Sequence, residues 1–188
     1  MKAKGNLFQM CRLGVMLLAL TATVQAQLII ATNSGTITIE GYNGNPTVLI
    51  IPAATNGYPV VSIGNDAFYS STSMTRVTLP NSIINIGYGA FQFCTNLASI
   101  TIPASVNTIG QYAFNGCTGL TNAMIAGTNN SIGPDAFNSC FKLASLTITN
   151  GVSSIGDSAF ASCTSLSSVT ISNGLTSIGG MCSRIAPA

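Results

Sequence analysis

The sequence contains no histidine and no tryptophan, and only 5% of its 188 residues are charged, against about 25% in an average soluble protein. Histidine is the commonest general base and the commonest metal ligand in proteins, so its absence excludes Ser-His-Asp triads, histidine-bearing zinc sites and haem held by a proximal histidine. The six lysines and arginines are scattered along the chain, which excludes a basic patch for nucleic acid. The composition therefore predicts no metal, no cofactor and no nucleic-acid partner.

The first 26 residues have the three-part pattern of a secretory signal peptide. Lys2, Lys4 and Arg12 supply positive charge, an apolar run follows at 13–22, and Val24-Gln25-Ala26 resembles a cleavage site. A bilayer-spanning helix needs about 20 apolar residues, which is more than this run offers. We therefore expect a secreted or cell-surface protein with no membrane insertion after signal removal, rather than a buried N-terminal helix. Three basic and four acidic residues remain after residue 26, a net charge of −1 instead of +2.

The rest of the chain is dominated by a motif that recurs every 23 residues. The motif reads Ile-Gly-x-x-Ala-Phe, and its copies begin at Ile63, Ile86, Ile109, Ile132 and Ile155, with Ile178-Gly179 opening a sixth. Self-similarity at a fixed period of about 20 to 50 residues marks a solenoid, propeller or array. A single copy has too few apolar residues to offset the entropy of ordering it, so we predict that neighbouring copies stack and bury each other's faces.

Each repeat combines extended and compact local patterns. Blocks such as Ile100-Thr101-Ile102 alternate apolar and polar residues, which is typical of a short strand, and a second extended stretch ends at the glycine of each motif. The residues of Ala-Phe-x-x-Cys have the spacing of one helical turn. Asp135 and Asp157, which precede two of these segments, are expected to cap such a turn.

Four cysteines keep the same period, namely Cys94, Cys117, Cys140 and Cys163. Aligned cysteines in an exported protein suggest disulfides. However, stacked side chains point in parallel, which holds their Cβ atoms near the strand spacing of about 4.8 Å rather than the preferred 3.8 Å or so. We therefore predict a column of buried free thiols that behave as small apolar groups.

The repeat Leu97-x-x-Ile100-x-Ile102-Pro103-x-x-Val106-x-x-Ile109-Gly110-x-x-Ala113-Phe114-x-x-Cys117 resembles the BspA-type leucine-rich repeat of bacterial surface and secreted proteins. The resemblance covers roughly residues 47–179. It implies a β-rich solenoid of leucine-rich repeats with 23-residue rungs, a parallel β-sheet face and short helical turns on the opposite side. It also implies surface adhesion or protein interaction.

Changes in the period divide the chain into four predicted segments. They are a signal peptide at 1–26, an N-terminal β cap at 27–46, the leucine-rich repeat solenoid at 47–179 and an irregular C-terminal tail at 180–188. The first repeat carries a five-residue insertion near Asn56-Gly57-Tyr58-Pro59. The Ala-Phe-x-x-Cys pattern does not follow Ile178-Gly179, so we expect Ile171 and Leu175 to lie at an uncovered end. Either the chain is shortened relative to a longer protein, or another molecule covers this end.

One repeat departs from the common pattern. Ala123 and Met124 replace a β-branched residue and a threonine, and Asn129 occupies a column that is otherwise aliphatic. The substitutions are interpreted either as drift in a tolerant array or as a local site formed by Asn122, Met124 and Asn129.

The outward positions of the predicted strand face form a hydroxyl-rich array with a single charge. They are Arg76, Thr78, Ser99, Thr101, Asn122, Met124, Ser145, Thr147, Ser168 and Thr170. The array has few of the Trp, Tyr and Arg anchors of tight protein interfaces. We predict weak binding of an extracellular protein or glycan at these residues, with a merely solvated face as the alternative.

This gives one leading function and three alternatives. The leading function is a secreted, non-catalytic interaction or adhesion module. The alternatives are a structural spacer that self-associates end to end through its C-terminal rung, an ice-binding or crystal-binding Ser-x-Thr ladder, and an enzyme of unrecognised type. Asp66 and Asp135 share a column three rungs apart, roughly 14 Å at the strand spacing, whereas the paired carboxylates of glycosidases lie about 5–9.5 Å apart. No catalytic residues are therefore assigned.

Overall fold

A computed structural model of the chain describes residues 27–127, 130–149 and 151–180. The predicted signal peptide, Asn129 and the tail from residue 181 onwards lie outside the described residues. The described chain winds into a β-solenoid of about six turns, each about 23 residues long, with almost no helix. No helix within this described part is long and apolar enough to cross a bilayer.

Two sheets form two sides of the solenoid. Among the described residues, the nine-stranded sheet contains β1 (Leu28–Asn33), β2 (Thr36–Tyr42), β4 (Ala54–Thr55), β5 (Tyr58–Ile63), β7 (Asn85–Ile86), β9 (Thr108–Ile109), β11 (Asn130–Ile132), β13 (Val152–Ile155) and β15 (Ser177–Ile178). The six-stranded sheet contains β3 (Val48–Ile50), β6 (Arg76–Thr78), β8 (Ser99–Ile102), β10 (Asn122–Ile125), β12 (Ser145–Ile148) and β14 (Ser168–Ile171). Neighbouring strands pair in parallel, except that β1 pairs antiparallel with β2 and β4 with β5. The predicted parallel sheet and 23-residue rungs are confirmed.

The sequence period sets the register of both sheets. Ile100 of β8 lies beside Ala123 of β10, and Ser145 of β12 lies beside Ser168 of β14, each pair being one period apart. The first rung is the exception, because Val48 of β3 pairs with Arg76 of β6, 28 residues later. The five extra residues confirm the predicted insertion. They are accommodated in the β4–β5 hairpin, whose Asn56 and Gly57 both have positive φ (52° and 80°), as a tight two-residue turn requires.

The Ala-Phe-x-x-Cys segments form tight turns instead of the predicted helical turns. The Cys117 N–H bonds to the Phe114 carbonyl three residues back (3.2 Å), whereas the Phe114 N–H bonds to the Ala136 carbonyl of the next rung (2.7 Å). Amides therefore alternate between their own turn and the neighbouring rung, which the i to i−4 bonding of an α-helix does not allow. This alternation recurs along the solenoid and is accompanied by two positive-φ positions in each turn.

The predicted helix-capping role of the aspartates is accordingly wrong, because no helix follows them in the described chain. The Asp157 Oδ1 accepts a hydrogen bond from the Gly180 N–H on the next rung (2.6 Å). The Asp135 Oδ1 accepts one from the side-chain amide of Asn138 in its own turn (2.8 Å). Both carboxylates thus stabilise the turns by hydrogen bonds.

The core consists of columns of identical side chains. The buried rings of Phe68, Phe91, Phe114, Phe137 and Phe160 stack with centroids 4.9–5.3 Å apart and planes within 16° of parallel. The motif glycines form another column, in which the backbones of successive rungs touch. A Cβ atom on Gly110 would lie 2.6 Å from the carbonyl carbon and oxygen of Gly87. Only glycine fits there, which explains its recurrence after every motif isoleucine.

The β1–β2 hairpin lies at one end of the nine-stranded sheet, within the segment predicted as an N-terminal cap. β2 pairs in parallel with β5, and its Ile37 and Ile39 are completely buried. The hairpin therefore covers the first repeat on this side. The six-stranded sheet instead ends at β3, which leaves the two sheets with different terminal strands.

Candidate functional site

The structure places the predicted binding residues on the outward side of the six-stranded sheet. In β8, Ser99 and Thr101 are exposed while Ile100 and Ile102 face the core. The same alternation gives one outward column of Arg76, Ser99, Asn122, Ser145 and Ser168, and a second of Thr78, Thr101, Met124, Thr147 and Thr170. Ser145 and Thr147 are half-buried and the other eight are exposed. All ten predicted residues thus share one face, which we call the hydroxyl face.

A shallow groove of about 330 Å³ lies at the β6 end of the hydroxyl face. Its polar lining comes from Arg76, Thr78, Asn81, Ser99 and Thr101. Arg76 is exposed and forms no ion pair with any described residue. Hydroxyl, amide and guanidinium groups line the same groove, which gives it both hydrogen-bond donors and acceptors.

Two apolar residues beside this groove were not among the residues predicted from the sequence. Val48 and Ile50 of β3 are 54% and 61% exposed and lie in register with Arg76 and Thr78. The hydroxyl face therefore continues into an apolar strip at its β3 edge. Allowing for the insertion, the sequence pairs Ile50 with Thr78, but the residues predicted to bind began at Arg76 and left this strand out.

The irregular repeat keeps its place in the sheet. Over its full length, β10 pairs with both β8 and β12, and Ala123 is completely buried in the aliphatic column. Asn122 and Met124 face outward, and Met124 is 39% exposed. Asn129, the third member of the predicted local site, lies outside the described residues. Asn122 and Met124 also interrupt the Ser-x-Thr ladder, as does Arg76, which disfavours recognition of a regular crystal surface.

The cysteine column lies in the interior and is held by hydrogen bonds. Each thiol donates to the carbonyl of a phenylalanine on the preceding rung, as Cys117 does to Phe91 (3.2 Å) and Cys140 to Phe114 (3.3 Å). Burial raises the pKa of the Cys94 and Cys163 thiols to about 12. Burial, reinforced by neighbouring thiols, raises the pKa of Cys117 and Cys140 well above the ordinary value. Protonated, buried thiols are poor nucleophiles and poor metal ligands.

Asp135 and Asp157 likewise serve the fold in the described structure. The Asp135 N–H bonds to the Asp157 carbonyl of the next rung (2.9 Å), while their side chains brace the turns. Within the described residues, no three Cys, Asp or Glu side chains lie close enough together to hold a metal ion. The hydroxyl face, by contrast, presents hydrogen-bonding side chains and one cation, Arg76, to solvent.

Comparison with known proteins agrees with this architecture. Residues 60–183 match the BspA type Leucine rich repeat region in six copies. The fold is similar to the crystal structure of a leucine-rich repeat protein from T. pallidum, with a TM-score of 0.60 and 25% identity over 82% of this chain and 84% of that one. It is also similar to a leucine-rich repeat protein from Eubacterium ventriosum, with a TM-score of 0.68 and 21% identity over 78% of this chain and 41% of that one. No curated protein matches the sequence. Six matching copies over most of the chain show that it belongs to the BspA-type leucine-rich repeat family.

Proposed function

We propose that the chain is a secreted, non-catalytic module that binds an extracellular protein or glycan through the hydroxyl face. The observation that carries this proposal is the convergence of ten outward side chains on one sheet, with the groove at Arg76 at one end. The signal-peptide pattern of residues 1–26 supports secretion. The family, whose members are typically bacterial surface or secreted proteins, supports the same location.

The composition of the hydroxyl face favours weak, distributed binding. Serine and threonine hydroxyls each add a hydrogen bond worth about 0.5–1.5 kcal/mol net. Arg76 and the apolar pair Val48 and Ile50 supply stronger contacts at one edge. We therefore place the centre of the binding site at β3, β6 and β8, with the remaining strands extending it.

A pair of charge substitutions tests the face. Thr101→Glu combined with Thr147→Glu places two carboxylates on the hydroxyl face, whereas Thr108→Glu combined with Ser177→Glu places two on exposed positions of the nine-stranded sheet. The immobilised proteins are compared for capture of species from extracellular and cell-wall material, identified by mass spectrometry. A species retained by wild type and by the control, but lost from the face variant, is the expected result. Equal capture by all three proteins would place binding elsewhere.

The last described rung favours a second candidate, end-to-end assembly with another copy of the chain. Val169, Ile171 and Ile178 are 41%, 42% and 59% exposed and line an apolar cavity of about 170 Å³. Apolar surface of this kind at a sheet edge promotes pairing with another strand. Light scattering over a range of concentrations tests this candidate, because association should grow with concentration and decline in Ile171→Lys. A mass that stays monomeric throughout contradicts it.

A further inference from the structure

Four aromatic residues project from the turns of three consecutive repeats, on the side of the solenoid that carries neither sheet. They are Tyr69, Tyr88, Phe93 and Tyr112, which we call the aromatic surface. Tyr69, Tyr88 and Phe93 are 51%, 44% and 39% exposed, and Tyr112 is half-buried. The rings meet edge to face across adjacent rungs, Tyr69 with Phe93 at 5.6 Å and Tyr88 with Tyr112 at 5.5 Å between centroids. Each pair is preorganised, because its two rings hold one another, and the turn at 88–94 carries one member of each pair.

Two of these rings stand on strained backbone. Phe93 and Tyr112 both have φ of 59°, in the left-handed region that bulky residues rarely adopt. The equivalent positions of the other repeats hold only small or acidic residues. In the column of Phe93 they are Ser70, Gly116, Ser139 and Ser162. In the column of Tyr112 they are Asp66, Gly89, Asp135 and Ser158. Core packing does not require aromatic side chains there, because the rings face outward. Such strained departures cluster at functional sites.

The neighbouring rung is adapted to the ring of Phe93. A Cβ atom on Gly116 would lie 2.7 Å from Cε1 of Phe93. The three other repeats carry serine in this column, at Ser70, Ser139 and Ser162. Glycine at 116 therefore leaves the space that the ring occupies.

Side-chain amides alternate with the rings. Asn65 and Gln111 are exposed, and Gln92 and Asn115 are half-buried and joined by a hydrogen bond from the Gln92 Nε2 to the Asn115 Oδ1 (3.2 Å). Asp66 is the one charged residue of the three turn segments 65–71, 88–94 and 111–117. No lysine or arginine occurs in them. The aromatic surface is therefore nearly neutral and lined by groups that both donate and accept hydrogen bonds.

We propose that the aromatic surface is a binding site for a neutral glycan, separate from the hydroxyl face. A sugar ring presents an apolar C–H face that packs on aromatic rings, and hydroxyls that donate and accept hydrogen bonds as amides do. The absence of cations from the three turn segments argues against an acidic polysaccharide. The absence there of exposed Arg, Met and large aliphatic residues argues against a protein, because protein interfaces are enriched in aromatic residues together with Met and Arg.

Native affinity electrophoresis tests this site. The protein is run in gels containing soluble β-glucan, glucomannan or galactomannan, and in a gel containing polygalacturonate. The double variant Phe93→Ser with Tyr112→Ser removes two rings. Other repeats already carry serine at the equivalent positions with nearly the same φ, so the fold should be retained. Phe141→Thr removes an exposed ring (45%) outside the surface, where the equivalent positions hold Thr95, Thr118 and Thr164. Circular dichroism verifies that both variants are folded.

We expect retardation of the wild type and of Phe141→Thr in at least one neutral gel, with the apparent Kd of the double variant at least tenfold weaker. Retardation should persist in the hydroxyl-face variant Thr101→Glu with Thr147→Glu, so this site and the proposed function can fail separately. Three results would overturn the inference. They are no retardation in any neutral gel, retardation by polygalacturonate alone, and equal retardation of wild type and the double variant.

Discussion

Removal of one ring from the middle of the phenylalanine column should destabilise the solenoid more than removal of a ring from its first rung. Phe114 is completely buried and stacks on both sides, with Phe91 at 5.2 Å and Phe137 at 4.9 Å. Phe68 is 2% exposed and stacks on one side only, with Phe91 at 5.2 Å. Both positions lose the same atoms on substitution by alanine, so the comparison isolates the stacking environment.

The magnitude follows from burial and from the number of ring pairs. A buried Phe→Ala substitution costs about 3–5 kcal/mol. Each aromatic pair contributes about 0.5–1.5 kcal/mol beyond buried area. Phe114→Ala breaks two pairs and opens a cavity bounded by rungs on both sides, so its loss should lie near the top of that range. Phe68→Ala breaks one pair and should cost about 0.5–1.5 kcal/mol less.

Urea unfolding followed by far-ultraviolet circular dichroism measures both losses. The chain has no tryptophan, and tyrosine fluorescence provides the second probe that tests whether unfolding is two-state. In a solenoid, each rung contacts only its neighbours. If Phe114→Ala uncouples the two halves of the solenoid, the urea unfolding transition should therefore also broaden. A loss at Phe68 equal to or larger than that at Phe114 would refute this reasoning.

Three further predictions concern the backbone, the thiols and the aromatic surface. Gly110→Ala should lower the free energy of unfolding by at least about 1–3 kcal/mol, because its Cβ would meet the Gly87 backbone at 2.6 Å. Gly180→Ala is the control, since its Cβ would have its nearest neighbour at 3.7 Å, and it should be nearly neutral in the same urea assay. Folding raises the pKa of the Cys94 thiol from 9.0 to about 12. The protonated thiol therefore contributes its full stability below pH 9, and this contribution is lost as the pH rises towards 12. The unfolding free energy of Cys94→Ala should accordingly fall less steeply above pH 9 than that of wild type. Gly116→Ser should destabilise the wild type more than it destabilises Phe93→Ser, because only the wild type has the ring in the way; a double-mutant cycle should detect this coupling of about 0.5–3 kcal/mol. Additive effects at these two positions would contradict the placement of the ring.

The repeat period made most of the architecture predictable from the sequence. A constant 23-residue step implies parallel stacking, and stacking puts like residues in columns, so the buried phenylalanines, cysteines and motif glycines were predictable. The turns were harder, since the spacing of Ala113, Phe114 and Cys117 suits a helical turn as well as a tight turn. The choice depends on hydrogen bonds to the next rung, such as that from Phe114 to Ala136, which a single repeat does not contain.

The missed surface residues have a common physical cause. Periodicity identifies positions that every rung must fill alike, and it carries no information about outward positions that vary. Val48 and Ile50 lie at outward positions where the next rung carries Arg76 and Thr78, so the repeat gave no reason to expect apolar side chains there. Phe93 and Tyr112 were hidden because the positive φ of their columns is visible only in the backbone. The sequence did contain a signal, since small or acidic residues fill both columns in every other repeat.

The two kinds of column therefore carry different information about this protein. Inward columns are constrained by contact with the rungs on either side, so a departure such as Ala123 changes packing and little else. Outward columns are free to vary, so a departure that costs stability there needs another explanation. An aromatic ring at φ 59° is such a departure, because serine or glycine fits the same backbone with less strain. Ligand specificity in this solenoid should accordingly be sought at outward positions that depart from the repeat. These are the aromatic surface and the apolar edge beside Arg76.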